Sequence, residues 1–452
     1  MIMKKRLHNI KTKFTYNRII VLSFALIILL GTLLLTLPVS SKSGNPTPIL
    51  NAAFTATSAT CVTGLIVYDT FSHWSTFGQI VIISLIQVGA LGFMTVISLF
   101  SVLLKRKMSV YERRLLMQSE NGLGLSGVVS LLKRIITGTL LTEFIGAVLL
   151  SLRFCKQFGL KAGIFNAVFH SVSAFCNAGF DIMGKREKFS SFTTYADDPL
   201  VCITIMALIV IGGIGFLVWS DILKYKFNFK QYSLHSKIVL VTTAILLLGG
   251  TLLYLIFENS HTLNGESLPG KLLRAAFMSV STRTAGMNTI DLTELSDSSE
   301  ILTFILMLIG GSPGSTAGGL KTTTFAVLVI TTVATARHNT HPSVFKRRLS
   351  SDALQNASAV FVIYMTAVLT AVMIMAMLED TETTTIAFEV VSAIGTVGMS
   401  QSLTPTLCGI SKLIVMGLMF GGRVGGLSLL LFLAEKRKNV PIDRPQEKIL
   451  IG

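Results

Sequence analysis

Four short motifs end on a glycine: "CVTG" at 61–64, "CNAG" at 176–179, "RTAG" at 283–286 and "GTVG" at 395–398. Their glycines, Gly64, Gly179, Gly286 and Gly398, are spaced by 115, 107 and 112 residues. The side chains at equivalent places differ widely; Val62, Asn177, Thr284 and Thr396 correspond. Chemistry common to all four must therefore come from the backbone. Backbone carbonyls can replace the water around a dehydrated cation, and glycine tolerates the positive φ that turns successive carbonyls the same way. The candidate oxygen donors are Cys61, Val62, Thr63 and Gly64; Cys176, Asn177, Ala178 and Gly179; Arg283, Thr284, Ala285 and Gly286; and Gly395, Thr396, Val397 and Gly398.

Each motif occupies the same place in a larger unit. An apolar run long enough to span a bilayer comes first, then a stretch of about 12 residues, at 50–60, 164–175, 271–282 and 385–394. Such a stretch reaches only about 18 Å as a helix, roughly half a bilayer. The glycine motif follows, and a second apolar run closes the unit. The runs are 19–37, 77–104, 135–152, 200–220, 238–257, 301–336, 353–378 and 413–434. The expected fold is an all-α polytopic membrane protein: four parallel helix–pore-loop–helix repeats around a pseudo-fourfold pore, with eight transmembrane helices and four half-membrane pore helices. The expected divisions are a cytoplasmic N-terminus (1–18), repeats at 19–114, 115–230, 231–345 and 346–434, and a cytoplasmic tail (435–452). Irregular backbone at membrane depth must be buried or line a water-filled cavity, and four loops meeting at one axis satisfy that together.

Composition agrees. The 452 residues are 51% hydrophobic and 14% charged, with mean hydropathy +0.67, whereas soluble domains carry about 25% charged residues. The net charge of +16 is explained by topology rather than nucleic acid. With the N-terminus inside, the five cytoplasmic segments hold 26 of the 39 Lys and Arg, the positive-inside bias. Five cysteines without a Cys-x-x-Cys pair and scattered histidines form no metal or disulfide framework. The intramembrane charges Glu143, Lys321 and Arg423 do not make a converging catalytic set, so no enzyme is expected. Glu143 is read as a packing or hydrogen-bonding residue.

The second runs carry glycine clusters, "VGALGF" (88–93), "IGGIGF" (211–216), "IGGSPGSTAGGLK" (309–321) and "FGGRVGG" (420–426). In the first two repeats these read as close helix packing. In the third, Pro313 with five glycines cannot continue a helix at normal cost. Gly310, Gly311, Ser312, Pro313, Gly314, Ser315, Thr316, Ala317, Gly318 and Gly319 are therefore expected to form an intramembrane loop across the ion path. Arg423, mid-span and always charged, is expected to hold carbonyls of that loop; Lys321 flanks it. A phosphate-binding loop is excluded because Leu320 separates Gly319 from Lys321 and no strand precedes. Parallel repeats with one plainly broken helix argue against a carrier built from inverted repeats.

Together the four motifs, "GGSPGSTAGGLKTTT" and "GGRVGG" resemble the Trk/Ktr/HKT superfamily of potassium transporters, and are most similar to the membrane subunit of the bacterial Ktr system. The resemblance covers nearly the whole chain. It implies potassium at the filter, because Gly64 stands where a serine accompanies sodium transport in plant relatives. It also implies residues 310–319 as gate with Arg423 contacting it, and homodimers with one pore per subunit. A cytoplasmic ring of nucleotide-binding regulatory subunits would be the partner, and the setting a bacterial plasma membrane with both termini cytoplasmic. No cofactor is bound covalently; sodium is a candidate activator, and nucleotide acts only through the partner. The fourth motif departs from tetrameric channels at Met399 and Ser400, and Arg283 is expected to point behind the filter toward an acid.

Overall fold

The computed structural model describes residues 16–92, 128–185, 187–226, 228–339 and 341–425. Most of the expected N-terminal segment 1–18, most of the basic segment 105–134, the ends of the second and eighth expected spans, and the tail 435–452 lie outside them.

The described residues are almost wholly helical. In chain order the helices used below are α1 (Tyr16–Thr36), α2 (Ile49–Cys61), α3 (Thr76–Leu91), α4 (Val128–Phe158), α5 (Leu160–Phe175), α6 (Pro199–Gly213) and α7 (Phe216–Tyr225). There follow α8 (Leu234–Phe257), α9 (Leu268–Ser281), α10 (Asp297–Leu308), α11 (Thr322–Ala336), α12 (Ser351–Ala376), α13 (Thr383–Gly395) and α14 (Gly409–Val424). A two-residue hairpin, Ser343–Val344 with Arg347–Arg348, is the only sheet among the described residues. Local sequence starts many of these helices. Side chains of Ser75, Ser233, Ser267, Ser296 and Ser350 accept N-terminal amides of α3, α8, α9, α10 and α12. Asp198 caps α6 with Pro199 at its first position.

The helices fall into two classes. Four are long and apolar enough to cross a bilayer: α1, α4, α8 and α12. Each turns large apolar side chains outward, such as Leu29 and Leu33, Leu140 and Phe144, Ile245 and Leu248, and Leu369 and Met373. An exterior this apolar is a lipid-facing surface, and the chain is a multi-pass membrane protein. Four others, α2, α5, α9 and α13, have 13, 16, 14 and 13 residues. They are buried along their C-terminal halves, serines and threonines included. These are the half-length stretches expected from the sequence, found within a few residues of their predicted bounds. Each packs against the long helix before it, α1 on α2, α4 on α5, α8 on α9 and α12 on α13.

The glycines of the second helices do two things, of which packing was expected and breaking was not. Gly89, Gly212 and Gly422 each press against the carbonyl four residues before a motif glycine. A Cβ there would lie 1.9 Å from Thr60 O, 2.0 Å from Phe175 O and 2.1 Å from Ile394 O. Three residues later Gly92, Gly215 and Gly425 take φ of +78°, +95° and +92°, in the region that favours glycine, and α3, α6 and α14 stop there. The run 200–220, expected to be one span, is therefore bent by 97° between α6 and α7. The expectation that only the third repeat has a broken second helix is corrected. The run 301–336 is divided, as expected, into α10 and α11 by residues 309–321.

Gly89→Ala should lower stability in detergent by about 2 kcal/mol or more, because the added methyl meets backbone rather than a flexible side chain. Gly249→Ala in α8, where an added Cβ meets nothing within 4 Å, should leave the thermal midpoint unchanged or slightly raised.

Candidate functional site

The four motif glycines form a closed cycle. A Cβ on Gly64 would lie 2.6 Å from Ala178 O, and one on Gly179 2.9 Å from Ala285 O. One on Gly286 would lie 2.2 Å from Val397 O, and one on Gly398 2.2 Å from Thr63 O. Each glycine thus abuts the carbonyl just before the glycine of the next motif, and the fourth returns to the first. Their φ values are +97°, +72°, +71° and +95°, and the equivalent residues two positions earlier are also left-handed: Val62 +58°, Asn177 +57°, Thr284 +67° and Thr396 +51°. For β-branched Val62, Thr284 and Thr396 this is a costly conformation.

Serines hold the strained segments. Ser58 and Ser392, six residues before their glycines, use both backbone and side chain. Ser58 O and Ser392 O accept from Thr63 N and Val397 N, both at 2.8 Å. The hydroxyls accept from Gly64 N at 3.1 Å and Gly398 N at 3.0 Å. In the second repeat Ser173 O accepts from Ala178 N at 2.8 Å, and its hydroxyl donates to Phe180 O at 2.6 Å. Ser281 donates likewise to Met287 O. Two residues of α5 and α13, nine positions before their glycines, brace the segments that follow the glycines. Nε2 of buried His170 accepts from Ile182 N at 3.1 Å. The buried Glu389 carboxylate accepts from Ser400 Oγ at 2.8 Å and from Thr404 Oγ1. Sequence inspection missed these serines, His170 and Glu389. The signal was available for Ser58, Ser173 and Ser392, each six residues before its glycine, but Ser281 is five before Gly286, and His170 and Glu389 correspond to Thr55 and Phe277 and carry no pattern.

On one side of the cycle all four glycines line a single cavity of about 330 Å³, together with Asp181, Asp291, Ser191 and Ser400. On the other side, facing residues that precede the glycines, lies the loop between α10 and α11. Ile309 and Leu320 pair as a short bridge, with Gly310 N donating to Leu320 O at 2.8 Å. The loop is held by carbonyls released at the α6 break: Ser312 N donates to Gly213 O at 3.0 Å and Thr316 N to Gly212 O at 3.3 Å. Phe216 N, the first amide of α7, donates back to Gly314 O at 2.8 Å. A Cβ on Gly318 would lie 2.0 Å from Thr396 Oγ1, so loop and fourth motif touch.

Arg423 reaches both the loop and α3. Its guanidinium donates to Thr316 O in the loop and, at 2.6 and 2.8 Å, to Gly89 O and Ala90 O at the C-terminus of α3. It therefore caps α3 from α14. Lys321 Nζ donates to Ala317 O at 2.7 Å and Gly318 O at 3.3 Å, within the loop. Glu143 is buried; its backbone carbonyl accepts from Ser171 Oγ at 2.6 Å, and its side-chain Oε1 accepts from Cys176 Sγ at 3.9 Å. Arg283 departs from expectation. It lies behind the motif and is buried, but its partner is Gly310 O at 3.2 Å, not an acid.

The site is thus a backbone-lined cycle with a cavity bearing Asp181 and Asp291 on one side and a pinned loop on the other. The family model described as "TrkH: Cation transport protein" matches residues 3–442, and the chain belongs to this family, whose proteins are ion transporters and not enzymes. It is 41% identical to the potassium/sodium uptake protein NtpJ of Enterococcus hirae over the full length of both chains. It is 36% identical to the Ktr system potassium uptake protein B of Bacillus subtilis over 97% of each chain. The protein of that name from Vibrio alginolyticus is 37% identical over 98% of this chain and 96% of its own. The fold is similar to the crystal structure of the potassium transporter TrkH from Vibrio parahaemolyticus. The TM-score is 0.73 at 16% identity, covering 94% of this chain and 86% of that one.

Arg423→Met leaves three carbonyls short of a donor, each a loss of about 1–3 kcal/mol. A cysteine placed at Ser315 in a cysteine-free background should then react with a thiol reagent about ten-fold faster than with Arg423 present. An unchanged rate would remove Arg423 as a restraint on the loop.

Proposed function

We propose that the chain is a gated, channel-like potassium uptake protein with four parallel pore-loop repeats. The carrying observation is the closed cycle in which each motif glycine abuts the carbonyl of the next motif. In this reading the backbone oxygens of the four motifs form the selectivity filter. The helices α2, α5, α9 and α13 direct the negative ends of their dipoles toward the path, and the cavity beyond the glycines is the outer vestibule. Potassium uptake as substrate and direction is supported by the printed functions of the relatives. Sodium, named for one of them, is a candidate activator or second cargo. Flux follows the electrochemical gradient, which a negative-inside potential biases by about 2.3 kcal/mol per 100 mV for one charge.

Residues 310–319 act as the gate. Carbonyl pairing to Arg423, Gly212 and Gly213 keeps the loop across the path, and the guanidinium adds a positive charge that disfavours a cation there. Opening requires these bonds to be exchanged. A cytoplasmic ring of nucleotide-binding subunits supplies the opening energy, a reading supported by relatives named as parts of a Ktr system. Two copies of the chain form a homodimer with separate pores. Both termini face the cytoplasm of a bacterial plasma membrane, as the Lys and Arg bias indicates.

The test is rubidium uptake into liposomes holding the purified chain under an imposed potential. Uptake should saturate with rubidium, and Gly398→Asp should abolish it by filling the cycle with a charged side chain. Shortening 310–319 by four residues should raise maximal uptake about ten-fold if the gate limits flux. Undiminished uptake by a folded Gly398→Asp protein would overturn the pore.

A further inference from the structure

Two filter-motif side chains are unexplained by backbone coordination. Asn177 and Arg283 are long and polar where their counterparts are short. Asn177 corresponds to Val62, Thr284 and Thr396, and Arg283 to Cys61, Cys176 and Gly395. Both are buried, and both reach the intramembrane loop. Thr316 Oγ1, near the middle of the loop, donates to Asn177 Oδ1 at 2.9 Å, with Phe175 O as an alternative acceptor at 3.1 Å. The other end of the same amide, Nδ2, donates to Arg283 O at 3.4 Å. The Arg283 guanidinium in turn donates to Gly310 O, at the start of the loop. A circuit results: loop residue 316, second motif, third motif, loop residue 310. Gly310 also packs on the third motif directly, an added Cβ lying 3.2 Å from Thr284 Cγ2.

A buried polar side chain needs its partners. Arg283 Nε already has none, so the Gly310 carbonyl carries much of the burden of keeping the guanidinium in place. Asn177 sits at φ +57°, and its amide spans the gap between loop and third motif. If the loop leaves, Asn177 loses an acceptor's partner at one end, and Arg283 loses the carbonyl it binds. Both groups must then reorient, and both belong to the segments whose backbone lines the cycle.

We propose that Asn177 and Arg283 are positioning residues that couple filter to gate: the loop in its seated position holds the second and third filter segments in their ion-competent geometry, and its release weakens ion binding there. The proposal rests on the filter-and-gate reading above. Coupling of this kind is reciprocal, so an occupied filter also favours the seated loop. An outgoing loop would then open the path and loosen the site together, which favours release of the ion inward.

The experiment is a cycle of variants in liposomes, scored by maximal rubidium uptake and by the apparent KM for rubidium. The variants are Asn177→Gly, which keeps the left-handed backbone and removes the amide, Arg283→Met, Arg283→Lys, and the four-residue loop shortening. Asn177→Gly and Arg283→Met should each raise KM about five-fold, the worth of one buried hydrogen bond. Loop shortening in the native background should raise KM similarly as well as maximal uptake. Shortening added to Asn177→Gly should raise maximal uptake again but leave KM where it was. Arg283→Lys, which retains a donor for Gly310 O, should recover most of the native KM; a purely packing role would give no such rescue. If KM effects multiply independently while shortening still raises maximal uptake, the coupling is refuted and the gate survives. If shortening raises nothing, the gate reading falls and the coupling with it. Thr316→Val removes the same bond from the loop side, and decides the matter if Asn177→Gly does not fold.

Discussion

Everything around the glycine cycle depends on one constraint: a backbone group released inside an apolar surround must find a partner. Three second helices stop at a glycine of positive φ, at Gly92, Gly215 and Gly425. Each stop leaves terminal carbonyls without intrahelical donors. In water these would be solvated. Here the carbonyls at the end of α3 receive Arg423, and those at the end of α6 receive the amides of Ser312 and Thr316. The breaks and the loop are therefore one construction, since the loop's amides are what the broken helix lacks.

The same constraint explains the chemistry of the buried cations. Arg283, Lys321 and Arg423 all lie within or beside the interior, and the partners shown for each are carbonyls rather than carboxylates. A carboxylate would neutralise the charge and leave a fixed ion pair. The carbonyls shown satisfy these donors without adding a second charge. Carbonyl pairing is also easier to exchange than a buried ion pair, whose separation strands two charges.

Above the loop, strain and bracing are matched. Left-handed Val62 and Thr396 are tolerated because Ser58 and Ser392 hold the two following amides. The Ser173 and Ser281 carbonyls hold a following amide too, but their hydroxyls donate to the carbonyl just after the glycine. The four segments thus reach a similar backbone by two hydrogen-bonding routes, which leaves their other side chains free to diverge. Divergence is what allowed Asn177 and Arg283 to extend toward the loop.

The sequence alone determined the four glycine motifs, their near-equal spacing and the apolar runs around them, because period, length and hydropathy are properties of the chain read in order. It also determined the four half-length helices to within a few residues, and the break at Pro313. The closing of the cycle was decided only by tertiary structure, since which carbonyl lies against Gly64 depends on residues 114 positions away. So too were the helix ends at Gly92 and Gly425 and the bend at Gly215: a glycine in an apolar run packs or bends according to what stands opposite. Arg283 shows the limit most plainly. Its charge predicted an acid, and the fold supplied a carbonyl, because the loop needing a donor at that point comes from 27 residues further along the chain.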